Sequence, residues 1–361
     1  MYTWIESGAA LAAWLGARAD ATTYCVDTEF MRTDTFVARL ALMQLCIDRD
    51  VALIDVVAQR PQPLIDRLTG RQTVCVMHSA SEDLEAMLTL LPDGPGELFD
   101  TQIAAAMAGL GYALSYQKLV NQLLGLELAK AETRSDWLRR PLSAAQLEYA
   151  AQDVVWLPQL HRELAGRLDA LGRMEWLRED CRALVDRVCH ARPDPQPQRA
   201  FRTAFDWPSE SQAMLRRLLQ WRDASARRLD KPRPWLLDDA AVLSLAARPP
   251  RDGDELFERT RGLRALRGAQ RQELLTVLQT PLSADDLAIA PIPPPLDGAQ
   301  KRALAAMKTA ITDIGTSLSI PDGLLCSRRH LEALLTDRVW PAALEGWRRP
   351  LLHDVLTKLM P

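Results

Sequence analysis

The sequence predicts an α/β domain built on a mixed sheet, followed by two small all-helical modules. Apolar runs rich in Val, Leu, Ile and Phe at residues 22 to 30, 37 to 47 and 50 to 56 are separated by polar turns such as DRD at 48 to 50. Further strands then alternate with capped helices. Beyond residue 190 the strand patterns stop, and two proline-rich stretches divide a region of helical periodicity.

Taken in order, AALAAWLGA at 9 to 17 reads as an amphipathic first helix rather than a signal peptide, because no basic residue precedes it and Glu6 does. The three apolar runs form an antiparallel meander. A helix at 62 to 69 closes at Gly70, the strand TVCVMH follows at 73 to 78, and Ser79 with Glu82 fits a capping box opening the next helix. A short strand at 97 to 100 leads to helices filling 102 to 128. Ser143 and Gln146 make a second capping box, opening a helical stretch that runs with interruptions to about 189.

The first domain therefore spans 1 to 190, with a linker at 191 to 209, a helical module at 210 to 282, a second linker at 283 to 298 and a second module at 299 to 361. The modules look like diverged copies. WLLDDAAVLSLA (235 to 246) aligns with GLLCSRRHLEALL (323 to 335), and LRGAQRQELLTVL (266 to 278) with LEGWRRPLLHDVL (344 to 356). Each copy is the size of one compact helical bundle.

Composition narrows the classes further. No apolar run approaches the ~20 residues of a membrane span. The six cysteines fall mostly inside apolar runs without a CxxC pair, as expected of reduced core residues in a cytoplasmic protein. Net charge is -3, but residues 1 to 190 hold 18 Lys+Arg against 26 Asp+Glu, while residues 191 to 361 hold 26 against 21. An acidic unit joined to a basic one is a cue for a polyanionic partner. No coiled-coil or swapped-strand signal stands out, so a monomer is expected.

The chemistry concentrates in carboxylates. Residues two apart on a strand face the same way, so Asp27 and Glu29 in YCVDTEFMR share one face. Asp83 lies early in the helix after strand 73 to 78. Asp153 follows Tyr149 by four residues, which puts phenol and carboxylate on one helix face. Four carboxylates in one pocket repel unless cations neutralise them, and oxygen donors without His or Cys suit Mg2+ or Mn2+. Two such ions about 4 Å apart stabilise the attacking and leaving oxygens of a phosphodiester, and Tyr149 could orient or deprotonate the attacking water.

Three stretches in this order, VDTEF (26 to 30), HSASEDLEAM (78 to 87) and EYAAQDVVWL (148 to 157), resemble the exonuclease motifs of the DEDD family, in the subclass with tyrosine in the third motif. FDTQIAAAM (99 to 107) and KAETRSDWLRRPLS (130 to 143) extend the resemblance, and the C-terminal copies look like paired HRDC domains. The resemblance implies a ribonuclease H-like exonuclease fold and makes Asp27, Glu29, Asp83, Tyr149 and Asp153 the catalytic set. It implies that Asp27 bridges two divalent cations, that Glu29 and Asp153 complete one site, and that Asp83 supports the other through water. The activity implied is 3'-to-5' hydrolysis of RNA to nucleoside 5'-monophosphates, with precursor transfer RNA 3' ends as substrate. DNA is the alternative substrate, and a non-catalytic RNA-binding scaffold the alternative class.

Other residues receive lesser roles. His78, Trp137 and Trp156 read as capping or packing residues. Lys130 and Arg134 are candidate phosphate contacts, as are Arg216, Arg217, Arg227 and Arg228, which share a basic helix with Arg222 ahead of Lys231 and Arg233.

Overall fold

The computed structural model describes residues 1–128 and 135–361. A six-stranded mixed sheet organises the N-terminal region, with strands β1 (Tyr2–Ile5), β2 (Thr23–Met31), β3 (Arg39–Ile47), β4 (Asp50–Asp55), β5 (Val74–Met77) and β6 (Glu97–Asp100) in the order β1-β4-β3-β2-β5-β6. The meander β2–β3–β4 is antiparallel, while β1, β5 and β6 join in parallel. Strand β1 lies outside the sequence expectation, which began at the first helix. Four residues are too few to show a period.

Among the described residues, eight helices accompany the sheet: α1 (Gly8–Gly16), α2 (Gln62–Leu68), α3 (Ser81–Met87), α4 (Thr101–Met107), α5 (Tyr116–Leu124), α6 (Ala144–Val155), α7 (Leu157–Ala170) and α8 (Met174–Cys189). The central strands are buried on both faces, with Leu42, Met43, Leu45 and Leu53 fully enclosed. The capping box at Ser143 and Gln146 forms as expected. The one at Ser79 does not. Ser79 sits at φ 60, and the N–H groups of Ser79 and Ala80 donate to the Asp100 carboxylate instead. The Asp100 carboxylate, 20 residues on, thus holds the turn that leads into α3, whose own first-turn amides have no side-chain cap.

The chain divides into two compact units. The first comprises Met1–Met31, Arg39–Ala191 and Asp297–Pro361; the second comprises Arg32–Ala38 and Arg192–Leu296. In the second, α9 (Ser209–Leu229), α10 (Arg233–Leu236), α11 (Asp239–Ala247), α12 (Gly253–Arg259), α13 (Gly268–Gln279) and α14 (Ala284–Leu287) enclose a core containing Leu215, Leu218, Val242, Leu245, Leu256 and Leu274. Both proline-rich stretches are packed here rather than open. Gln198 donates to the Ala290 carbonyl, and Ile292 belongs to the core while its N–H donates to Gln212. Segment 32–38 is held as well: Asp230, in left-handed backbone, accepts from the N–H groups of Phe36 and Val37, and the Phe36 ring contacts the guanidinium groups of Arg227 and Arg233.

Helices α15 (Gly298–Leu318), α16 (Asp322–Leu325), α17 (Arg328–Asp337) and α18 (Arg349–Lys358) belong to the first unit and pack beside α8. Trp347 stacks on Trp176 with centroids 4.6 Å apart and planes 9° from parallel. Arg348 makes a bidentate ion pair with Asp180 at 2.6 and 2.7 Å. Arg173 donates to the carbonyls of Met107 and Leu318, tying α4 to the end of α15.

Candidate active site

Strand β2 presents Asp27 and Glu29 on one face, and the β2–β3 register slips between Glu29 and Phe30. Such an irregularity re-aims side chains and ends regular pairing beside a site. Helix α6 packs across β2, β3 and β4 and delivers Tyr149 and Asp153 from the same face. Single carboxylate oxygens of Asp27, Glu29 and Asp153 lie within 4.8 Å of one another. Asp83, buried in the first turn of α3, accepts a 2.5 Å hydrogen bond from the Thr28 hydroxyl, and its charge reaches Asp27. Three of the four expected acids thus form one cluster, with the fourth alongside.

The surroundings penalise negative charge. Burial, and then the charges of Asp83, Asp153 and Glu29, push Asp27 well above the usual carboxylate range. Burial followed by Asp153 and Asp83 pushes Glu29 up to about 8. Asp153 rises to about 6 through burial, against a lowering hydrogen bond from Tyr149. Asp83 also rises to about 6 through burial, against the Thr28 hydroxyl. Burial first and Asp153 second hold the Tyr149 phenol above its ordinary range, so its hydroxyl keeps its proton. An all-oxygen cluster of carboxylates fits a hard divalent cation.

Neighbouring residues hold these elements. Both ring nitrogens of His78 are engaged, by the Thr101 hydroxyl at 2.9 Å and the Leu114 carbonyl at 3.0 Å, and burial lowers its pKa. It ties loops together. Trp137 is buried with its ring 6.1 Å from that of Tyr149. Behind it Arg140 grips Asp55 at the end of β4 through two 2.7 Å bonds and also donates to the carbonyls of Trp137 and Ala41. Sequence reasoning missed Thr28, which alternation placed on the opposite face, and Asp55, whose partner lies 85 residues away.

Lys130 and Arg134 lie outside the described residues. The arginines of α9 are engaged within their own module. Arg217 pairs with Asp286 at 2.6 Å and caps three carbonyls around 277 to 281, with its side chain 14% exposed. Arg216 donates to the carbonyls of Pro195 and Asp285. Arg227 pairs with Asp223, and Arg228 with Glu273, while their side chains stay 45% and 56% exposed.

With this geometry in place, comparison with known proteins sets the class. A family model described as 3'-5' exonuclease matches residues 2–169, and one for the HRDC domain matches residues 211–266. The sheet, the acidic cluster and this match define a metal-dependent 3'-5' exonuclease. Ribonuclease D of Xanthomonas oryzae pv. oryzae is 42% identical over 93% of this chain and 92% of its own, and that of Pseudomonas paraeruginosa is 34% identical over 98% and 96%. The crystal structure of Escherichia coli RNase D, described as an exoribonuclease involved in structured RNA processing, superposes with a TM-score of 0.83 at 29% identity, covering 99% of this chain and 98% of that one. The chain belongs to the ribonuclease D family of 3'-to-5' exoribonucleases.

Proposed function

We propose that the protein removes nucleotides singly from RNA 3' ends by a two-metal mechanism, releasing nucleoside 5'-monophosphates, and that 3'-extended transfer RNA precursors are its substrate. The observation that carries this reading is the convergence of Asp27, Glu29 and Asp153, with ligand oxygens within 4.8 Å and the Tyr149 hydroxyl hydrogen-bonded to Asp153.

Asp27, Glu29 and Asp153 would hold one cation, and Asp27 with Asp83 a second, Mg2+ or Mn2+. When bound, the cations lower the pKa of the attacking water and neutralise charge on the phosphate oxygens. The chain's own contribution is placement. β2 fixes two carboxylates on one face, and α6 supplies the third from across the sheet. In this reading Tyr149, hydrogen-bonded to Asp153, orients the attacking water, as a member of the tyrosine subclass would.

The elements α15 to α18 form a second HRDC-type module in this reading. α9 and α15 each have 21 residues and end in left-handed backbone, at Asp230 and Ser319, and each is followed by a four-residue helix and then a longer helix capped by a side chain. Arg227 and Arg228, the more exposed of the α9 arginines, would exchange their present partners for RNA phosphates, with Arg216, Lys130 and Arg134 in support and Arg217 holding the module together. A cytoplasmic monomer completes the proposal. Among the described residues no helix is long and apolar enough to cross a membrane.

The test is to incubate 3'-extended transfer RNA and matched DNA with Mg2+ and wild-type or Asp27→Ala protein. Mononucleotide release from RNA by wild type alone is expected. Equal release by the variant, or a strong preference for DNA, would overturn the reading.

A further inference from the structure

Gln44 sits in the middle of β3 with its residue surface 0% exposed, and among the described residues neither its Nε2 nor its Oε1 has a hydrogen-bond partner. Its neighbours differ. Thr28, Asp55, Asp83, Asp100 and Thr101 are the other buried polar side chains on or beside the sheet, and each is hydrogen-bonded. A buried amide with both ends unsatisfied is costly, and an apolar residue of the same shape would serve the core better.

The register gives the amide an address. Gln44 is the direct cross-strand partner of Asp27, with Leu53 on its other side. Directly opposed residues of an antiparallel pair share a face, with Cβ atoms about 4.5–5.5 Å apart. The unsatisfied amide therefore adjoins the one carboxylate proposed to serve both cations, and apolar Leu53 on its other flank offers no competing partner.

We infer that Gln44 is a positioning residue for Asp27: its Nε2–H donates to the Asp27 carboxylate and fixes its orientation when cations are held, an inference that rests on the site proposed above. A neutral donor suits this place. Lys or Arg would steady the carboxylate equally well, but their charge would compete with the cations for it. Outer hydrogen-bond partners of ligating carboxylates commonly contribute tenfold or more to metal affinity.

The experiment compares wild type with Gln44→Met and Gln44→Leu. Metal-free proteins are melted, RNA-free proteins are titrated with Mn2+ by calorimetry, and RNA cleavage is followed against Mg2+ concentration. The metal-free variants should melt at or above the wild-type temperature, because two unsatisfied buried polar atoms are gone. Mn2+ affinity should fall about tenfold, the half-maximal Mg2+ concentration should rise by about the same factor, and excess Mg2+ should restore the rate. Affinity within about twofold of wild type in both variants would overturn the inference, as would melting temperatures lowered in both, which would assign the amide to the core. If wild type itself binds no Mn2+, the site reading fails first and takes the inference with it.

Discussion

At the scale of single residues, burial and mutual repulsion raise every acid of the cluster above its ordinary range, so a cation must compete with protons for their oxygens. The sign follows from Glu29, whose pKa rises to about 8 in the fold from an ordinary 4.5, burial being the main cause. The metal-free fold then binds more protons than the unfolded chain between these values, and its stability falls as pH rises through the window. Cation and proton compete for the same oxygens, so Mg2+ affinity should strengthen at least tenfold between about pH 6 and pH 8.5, with net proton release. Calorimetry in two buffers of different ionisation enthalpy measures both, and a pH-independent affinity without proton release would contradict the picture. Tyr149→Phe should slow cleavage by about 10²-fold while leaving Mg2+ affinity within a few-fold, because the carboxylates remain. Unchanged single-turnover rates would remove the hydroxyl from the chemistry. Asp27, Glu29, Tyr149 and Asp153 were legible because two-residue and four-residue spacings fix which way side chains face. The bond from Thr28 to Asp83 was not, since it joins positions 55 residues apart.

At the scale of elements, local codes were readable where local groups satisfy them. The Ser143 box forms from its own sequence, whereas the Ser79 box does not form, and Asp100, the cap of α4, holds the turn before α3. The meander was visible because its strands are apolar runs and a short polar turn joins β3 to β4; β1 was too brief to register. Arg140 illustrates a contact that only the fold supplies. It latches the segment before α6 onto the end of β4 and so holds the helix bearing Tyr149 and Asp153 against the sheet. Burial works to raise the Asp55 pKa, yet Arg140 holds this carboxylate below its ordinary value. Arg140→Met leaves Asp55, 4% exposed, without its cation. Removal of one partner from such a pair costs about 3 kcal/mol, which urea denaturation would register. Cleavage should fall alongside, since α6 loses its anchor. A loss of stability under about 0.5 kcal/mol, typical of a surface ion pair, would show that the latch carries little weight.

Across the whole molecule, the charge split legible in the sequence does not translate directly into a bare phosphate-binding face. The α9 arginines are engaged with carboxylates and carbonyls of their own module, so total charge overstated what stands ready for RNA. Helices α15 to α18 were read correctly as helical, but their close packing against α8 depends on Trp347 and Arg348, whose partners Trp176 and Asp180 lie more than 160 residues earlier. The Arg348–Asp180 pair is largely enclosed, with side chains 13% and 12% exposed. Arg348→Ala therefore strands Asp180 with the Trp347 indole N–H as its remaining donor and should cost about 3 kcal/mol. Because Asp27, Glu29 and Asp153 come from β2 and α6, both remote in sequence from this contact, the loss should be regional. Hydrogen exchange should accelerate across 298–361 while amides of β2 and β3 stay protected and Mg2+ affinity stays at the wild-type value. Uniform acceleration through the sheet would instead show that the C-terminal helices and the nuclease core unfold as one cooperative body.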